Sequence, residues 1–293
     1  MKCAIIVNAY TYMASSEYQA TRLKDELELR GVRADILRND GFIAYIDKSG
    51  EISVAGKYDF IVYLDKDKYI SSMLERSGLR LFNSHSAIRL CDDKAATFIA
   101  LAGSGIAVPR TLTGLLCYDS SAKLNGRALD KVQSLLGYPI IIKECYGSLG
   151  KGVYKADSRE QLEQYALELM GTPHLFQQYI SDSEGVDVRV IVVGGKAVAA
   201  MRRMSRSDFR SNIELGGVGE PYELSDKTAA ICERAAAVLG LDYCGIDMLF
   251  SRGGEAEILC EVNSNAFFTA IEKVTGVNIA AAYAEHIVSE MRR

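Results

Sequence analysis

Tryptophan is absent from this chain, and proline (4) and histidine (3) are scarce. With only His85, His174 and His286 available, a histidine-rich zinc site is not expected. No CxxC pair occurs among the seven cysteines (Cys3, Cys91, Cys117, Cys145, Cys232, Cys244, Cys260). They are odd in number, scattered and mostly set in apolar runs, which reads as reduced, packed thiols in a cytoplasmic protein. No apolar run approaches the length of a membrane span, so none is expected. The opening MKCAIIVNAYTY carries one positive charge and a short apolar run. It reads as a first strand, too short for a signal peptide. The formal charge is only -4, from 34 basic and 38 acidic residues. Such a balance gives no global pull towards nucleic acid or an anionic membrane.

What is present is an average globular composition, 48% apolar and 25% charged over 293 residues. That length buries a real core without staples and implies two domains or three smaller lobes. Disordered, collagen-like and coiled-coil chains are excluded, and there is no internal repeat or low-complexity tract.

Strand and helix signals alternate over the first third. Residues 2–7, 32–37, 59–65 and 79–83 read as strands, with a small hairpin turning at Ser49-Gly50. Ser16-Glu17-Tyr18-Gln19 has capping-box spacing ahead of a helix carrying Ala20, Leu23 and Leu27. A second helix runs through Tyr69 and Met73 to Gly78. Strands separated by single helices imply a doubly wound parallel sheet. The first strand-to-helix turn, NAYTYMASS, has no glycine, so the dinucleotide fingerprint is missing and a nicotinamide-dependent oxidoreductase is disfavoured.

Asp92 or Asp93 caps a helix with Phe98 and Leu101, and Pro109 marks an extended connection at a lobe boundary. A strand at 138–143, a glycine-rich loop, a strand GVYKA, a helix capped by Ser158 with Gln161 and a strand LFQQYI follow. Then come a hairpin turning at Gly194-Gly195, a helix from Ser225 to Leu239, two strands (DYCGIDMLF, EILCEVN) and a final helix.

The loop YGSLGKG at 146–152 departs from GxxxxGK[ST] and lies between strands rather than between strand and helix. It reads as a flap over phosphates or as a flexible hairpin. Lys143 leaves the apolar run 139–142 and needs an anionic partner or an exit to solvent. Lys94, at a helix start, opposes the helix dipole and is placed to meet a phosphate or to be solvated. Asp247 and Glu261 sit inside apolar strands, and Glu261 shares a strand face with Asn263. Two carboxylates and an amide oxygen suit Mg²⁺ carrying ATP phosphates; the competing reading is a carboxylate–arginine network. Arg189, Arg202, Arg203, Arg206 and Arg210 form either a solvated basic face or clamps for phosphate and carboxylate. Gly216-Gly217 offers backbone N–H groups to an oxyanion.

The ordered set NSHSAIRLCDDKAAT, YPIIIKECYGSLGKGV, QQYISDSEGVDVRVIVVGGKAVAAMRR, DFRSNIELGG, GIDMLF and EVNSNAFFTAIEKVTGVNI resembles the ATP-grasp superfamily, and within it the RimK-like amino-acid ligases. The resemblance implies an α/β (in part α+β) ATP-grasp fold. Its lobes would be a parallel-sheet domain at 1–90, a small lobe at 91–178 and a large lobe at 179–293. It places Lys94, Lys143, Gly147, Ser148 and Gly150 at the phosphates and Gln178, Tyr179 and Ile180 beside adenine. Asp187 falls at the ribose, and Arg210, Ser211 and Asn212 at the phosphate end. Asp247, Glu261 and Asn263 would hold two Mg²⁺ or Mn²⁺ ions. Arg203, with Arg189, Arg210 and Gly217, would serve the reacting carboxylate or acyl phosphate.

The implied reaction joins a small-molecule or peptide carboxylate to the amine of an amino acid such as glutamate through an acyl phosphate. A homo-oligomer, dimer or tetramer, and a cytoplasmic location are expected. Other readings are a ligase for unrelated substrates, such as a dipeptide or cofactor precursor, and an ATP-binding protein without turnover. Two positions depart from the family pattern. Asn265-Ala266-Phe267-Phe268 stands where Ser-Pro-Gly usually follows the triplet, and Gln178 stands where an acidic residue is usual.

Overall fold

The computed structural model describes residues 1–119, 121–148, 150–206, 208–213 and 216–293. Leu149 of the glycine-rich loop and Glu214-Leu215 of DFRSNIELGG therefore lie outside the described residues.

The first lobe comprises β1 (Lys2–Val7), α1 (Ala14–Leu29), β2 (Arg33–Arg38), β3 (Ala44–Ile46), β4 (Ile52–Val54), β5 (Phe60–Leu64), α2 (Lys68–Arg76) and β6 (Arg80–Phe82). Four of these strands pair in parallel in the order β2-β1-β5-β6, as the alternating pattern predicts. The run CAIIV of β1 is buried throughout because both faces of such a sheet are covered. β3 and β4 form the small hairpin. The expected capping box of α1 does not form. The helix starts three residues earlier, after Met13, which offers no side-chain cap. Ser16 is buried in the first turn, and Gln19 bonds to the carbonyl of Ala266 instead.

Two helices follow: α3 (His85–Asp92), which the sequence reading did not name, and α4 (Lys94–Leu101), which it did. Asp93 ends the first and caps the second, accepting from Ala95 and Ala96. The second sheet contains β7 (Thr111–Thr113), then, past α5 (Gly126–Leu136), β8 (Ile140–Glu144) and β9 (Val153–Ala156). After α6 (Arg159–Glu168) comes β10 (His174–Gln178), giving an antiparallel order β7-β10-β8-β9. Ser158 caps α6 as expected, but Gln161 reaches the N–H of Asp157 rather than that of the cap.

The third sheet is built from β11 (Val186–Val193), β12 (Lys196–Met204), β13 (Val218–Pro221) and, after α7 (Asp226–Leu239), β14 (Tyr243–Phe250) and β15 (Ala256–Asn263). Its order is β13-β12-β11-β14-β15, antiparallel throughout. Gly194 and Gly195 both have positive φ (55° and 76°), which the two-residue turn between β11 and β12 requires. The chain closes with α8 (Thr269–Thr275) and α9 (Ile279–Arg292), where the sequence suggested one helix.

The cores are not divided as the sheets are. One face of the first-lobe sheet (Cys3, Ile5, Val62, Phe82) shares a continuous core with Ile191, Tyr243, Phe268, Ile279 and Tyr283 of the large lobe. Ala87, Cys91, Phe98 and Leu101 of α3 and α4 pack into the opposite face of the third sheet with Val190 and Leu239. The small lobe has its own core around Leu129, Ile142, Leu162 and Phe176.

Candidate active site

A cleft of about 850 Å³ lies between the second and third sheets. Its lining mixes apolar side chains (Ile141, Val153, Ile180, Phe209, Leu249) with the cations Lys94, Lys143, Lys151 and Arg210. Alternation along two strands supplies part of it: Ile141 and Lys143 of β8, and Asp247 and Leu249 of β14, are two apart and share a face.

Lys143 is 7% exposed and its ammonium donates to Cys260 Sγ at 3.5 Å. Among the described residues no carboxylate lies within ion-pair distance of it. Cys260, which the sequence suggested was an ordinary packed thiol, lines the cleft. Burial pushes its pKa up, against the pull of Lys143. Lys94 is also buried; its Nζ donates to the carbonyl of Gly147 at 2.9 Å and sits 3.4 Å from Glu261. The glycine-rich loop is thus tied to the start of α4 at one point. It is tied again where Arg210 donates to the carbonyl of Gly150 at 2.6 Å. Tyr146, which sequence reasoning passed over, adds a hydroxyl to Asp93 at 3.1 Å. Asp208 aligns Arg210 through its Nε and an Nη.

Gln178, Tyr179 and Ile180 form the edge where β10 leaves the second sheet, and Ser148, Ser211 and Asn212 line the same cleft. The Gln178 N–H donates to the Arg110 carbonyl, so the extended connection after Pro109 holds this edge.

The floor is an ion network. Arg189 grips Asp247 through two bonds of 2.7 Å. Arg203 grips Asp187 in the same way at 2.7 and 2.5 Å and lies 3.0 Å from Asp247. Strand register builds it: Arg189 is opposite Asp247, and Asp187 is opposite Arg203. Two carboxylates and two guanidiniums balance. Burial would raise the pKa of Asp247, but Arg189 and Arg203 prevail and hold it at about 2. Burial likewise opposes the charge of Arg203, and Asp187 and Asp247 overcome it, keeping its pKa above the ordinary arginine value.

For Asp247 the structure therefore displays the arginine-paired arrangement. Arg203, only 2% exposed, spends its guanidinium on two carboxylates rather than presenting it to a substrate. Asp247 and Glu261 are cross-strand partners, with Gly245 opposite Asn263, so the three expected metal donors share one face of the sheet. Nδ2 of Asn263 is buried without a partner.

The N–H groups of Gly216 and Gly217, the expected oxyanion donors, bond within their own loop in this structure. The Gly216 N–H donates to Ile213 and that of Gly217 to Asn212, both within the loop. Gly217 instead permits a close approach, since a Cβ there would lie 2.4 Å from the carbonyl oxygen of Ser211.

The RimK-like ATP-grasp domain family matches residues 91–287 of this chain. Beta-citrylglutamate synthase B of Danio rerio is 35% identical over 230 residues, 78% of this chain and 55% of that protein, so the chain spans about half the length of such curated relatives. A probable alpha-L-glutamate ligase of Pseudoalteromonas atlantica is 31% identical over 94% of this chain and 93% of its own length. The crystal structure of a RimK domain ATP-grasp protein from Sphaerobacter thermophilus shares the fold with a TM-score of 0.72, at 18% identity, over 98% of this chain and 100% of the other. No helix among the described residues is long and apolar enough to cross a membrane. Two antiparallel sheets closing on a cleft, a tethered glycine-rich loop and this family match lead to one conclusion: the chain belongs to the RimK-like ATP-grasp domain family.

Proposed function

We propose that the chain is an ATP-dependent carboxylate–amine ligase. A substrate carboxylate oxygen attacks the γ-phosphorus of ATP, and the bond to ADP breaks. The nitrogen of an amine then attacks the acyl carbon, phosphate leaves, and the amine gives up a proton as the amide forms. The observation that carries the reading is Lys143, a buried ammonium that has no carboxylate partner among the described residues and lines a cleft with both cationic and apolar side chains. Such a charge is costly until an anion arrives, and a nucleotide supplies both the anion and a flat ring for the apolar side chains.

In this reading Lys94, Lys143 and Arg210 meet the phosphates, with Ser148, Gly147 and Gly150 above them. Gln178, Tyr179 and Ile180 border the adenine, Asp187 the ribose, and Ser211 and Asn212 the phosphate end. Glu261 and the amide Oδ1 of Asn263, on one face of β15, are hard oxygen donors that fit Mg²⁺ or Mn²⁺. Among the described residues no group of three or more His, Cys, Asp or Glu side chains could hold a metal. A cation therefore needs phosphate oxygens to complete its shell, as is usual for Mg²⁺ at nucleotide sites. When bound, it would neutralise charge on the transferring phosphoryl group. Asp247 joins the set only by giving up an arginine contact. Arg189 and Arg203 keep it ionised and in place. Two relatives are named for glutamate, and we carry L-glutamate over as the amine substrate.

The test is ADP release with Mg-ATP, L-glutamate and a panel of carboxylates that includes citrate. Lys143→Met should cut turnover by about 100-fold or more, in line with losing one preorganised charge at a transferring phosphate. An absence of Mg-ATP affinity at millimolar concentration, or full turnover in Lys143→Met, would overturn the reading.

A further inference from the structure

A second cavity, of about 1080 Å³, lies in the small lobe. Neighbours on β10 separate it from the cleft: Gln177 lines the cleft, whereas His174 and Phe176 line this hollow. Its floor is the lobe's own core, with Leu129, Val132, Ala166 and Phe176 each 5% exposed or less. One wall is the segment after β7. Backbone bonds pin it, from the Gly114 N–H to the His174 carbonyl at 2.8 Å and from the Cys117 N–H to the Met170 carbonyl at 2.9 Å. Leu115 and Leu116 of that wall stand 64% and 44% exposed, adjoining apolar area left to water.

The charge in the lining is of one sign. The hollow holds no carboxylate, and Lys123 and Lys131, both exposed, supply its charge. Among the described residues neither lysine has an ion-pair partner. The N-terminal turn of α5, capped by Asn125, lies between them in the chain and adds the positive end of a helix dipole.

A second, independent observation lies deeper. His174 is 4% exposed, and its Nδ1 meets the Thr172 carbonyl at 2.8 Å. A carbonyl only accepts, which places a proton on Nδ1 and leaves Nε2 as an acceptor. Nε2 has no hydrogen-bond partner among the described residues. The ring is seated here because residue 114 is glycine: a Cβ there would lie 2.1 Å from Nε2. A buried polar atom left unpaired asks for a partner.

We infer that this hollow is a ligand site of its own, for a hydroxy acid with an apolar body. The carboxylate meets Lys123 and Lys131 at the rim, the body lies on Leu116, Leu129 and Phe176, and the hydroxyl donates to His174 Nε2. A wholly apolar occupant would leave the lysines and the imidazole unanswered, and a cation would meet like charge. The site is separate from the ligase chemistry and stands whether or not that reading holds.

The test is calorimetric titration with two members of this class, 3-(4-hydroxyphenyl)propanoate and 8-hydroxyoctanoate. It is paired with alkylation by N-ethylmaleimide, mapped by mass spectrometry. Cys117 lines the hollow and Cys260 the cleft, and the other five cysteines are buried, so each cavity carries its own reporter. One of the acids should bind one to one and slow alkylation of Cys117 in proportion to occupancy, leaving Cys260 unchanged. The amide of the better binder lacks the charge, and its deoxy counterpart lacks the hydroxyl. Each should bind about threefold or more weaker, and the acid should bind the Lys123→Gln/Lys131→Gln variant weaker by a similar factor. Ala128→Phe, which fills the hollow from α5, should abolish protection of Cys117. The inference is overturned if neither acid protects Cys117, if protection falls on Cys260 instead, or if the amide or the deoxy counterpart binds as well as the acid. Should Ala128→Phe fail to fold, the comparison of ligands on the wild type decides. Mg-ADP should protect Cys260 and not Cys117; its failure to bind would remove the ligase reading alone.

Discussion

Single charges carry most of the meaning in this molecule. Arg203 is fully buried between Asp187 and Asp247, and removing one partner of a buried network leaves the others uncompensated. Arg203→Met should therefore cost about 3–5 kcal/mol of stability, measured by urea unfolding at neutral pH. The pH dependence follows from Asp247, which is held at about 2 against an ordinary 3.8. A carboxylate with a depressed folded pKa stabilises fully above its unfolded value and loses that contribution as the pH falls through its folded one. Wild-type urea midpoints should hold above about pH 4 and fall towards pH 2. With one of its two arginines gone, Asp247 in Arg203→Met should have a folded pKa less depressed than in the wild type, so its fall in midpoint below about pH 4 should be smaller. Sequence reading named every member of this network by different routes: Asp247 as a charge in an apolar strand, Arg189 and Arg203 as part of an arginine cluster, and Asp187 only through the family resemblance. It had no means to choose between metal and arginine for Asp247, since the choice depends on cross-strand register.

At the scale of elements, the glycine-rich loop is fastened to its neighbours through backbone carbonyls, those of Gly147 and Gly150. These bonds depend on a lysine and an arginine that a nucleotide would also recruit, so loop and phosphate compete for the same donors. Arg210→Ala should raise amide exchange across the described loop residues 146–148 and 150–152 without changing exchange in β8, measured by hydrogen exchange with mass spectrometry. Equal protection in variant and wild type would show that the tether contributes nothing. Strand and helix periodicity gave most elements, including the β11–β12 hairpin with its two glycines. Of the elements it missed, β7 and β13 have three and four residues and exist by pairing with β10 and β12. It also passed over α3, which ends on the Asp93 that caps α4, and α5, eleven residues long and capped by Asn125.

Over the whole molecule, Asn83 joins the first and large lobes. Its side chain accepts from the N–H groups of Asp242 and Tyr243 and donates to the carbonyls of Tyr243 and Ser264. The residue is 1% exposed, so Asn83→Ala strands several backbone groups away from water and should destabilise by about 3 kcal/mol or more. Scanning calorimetry should show the loss as a lower unfolding temperature, and a separate first transition if the seam is what couples the two lobes. Nothing in the amino-acid pattern warned of this role, since an asparagine closing a strand reads as punctuation. The shared core beneath Asn83 has a mechanical consequence. First lobe and large lobe are welded by the packing of Cys3, Ile5 and Phe82 against Tyr243, Ile279 and Tyr283. The sheet β7-β10-β8-β9 has a core of its own around Ile142 and Leu162 and enters the large lobe's core through Leu175 of β10. The molecule is thus an anvil with a single jaw, and that jaw is the part whose displacement would disturb the shared core least.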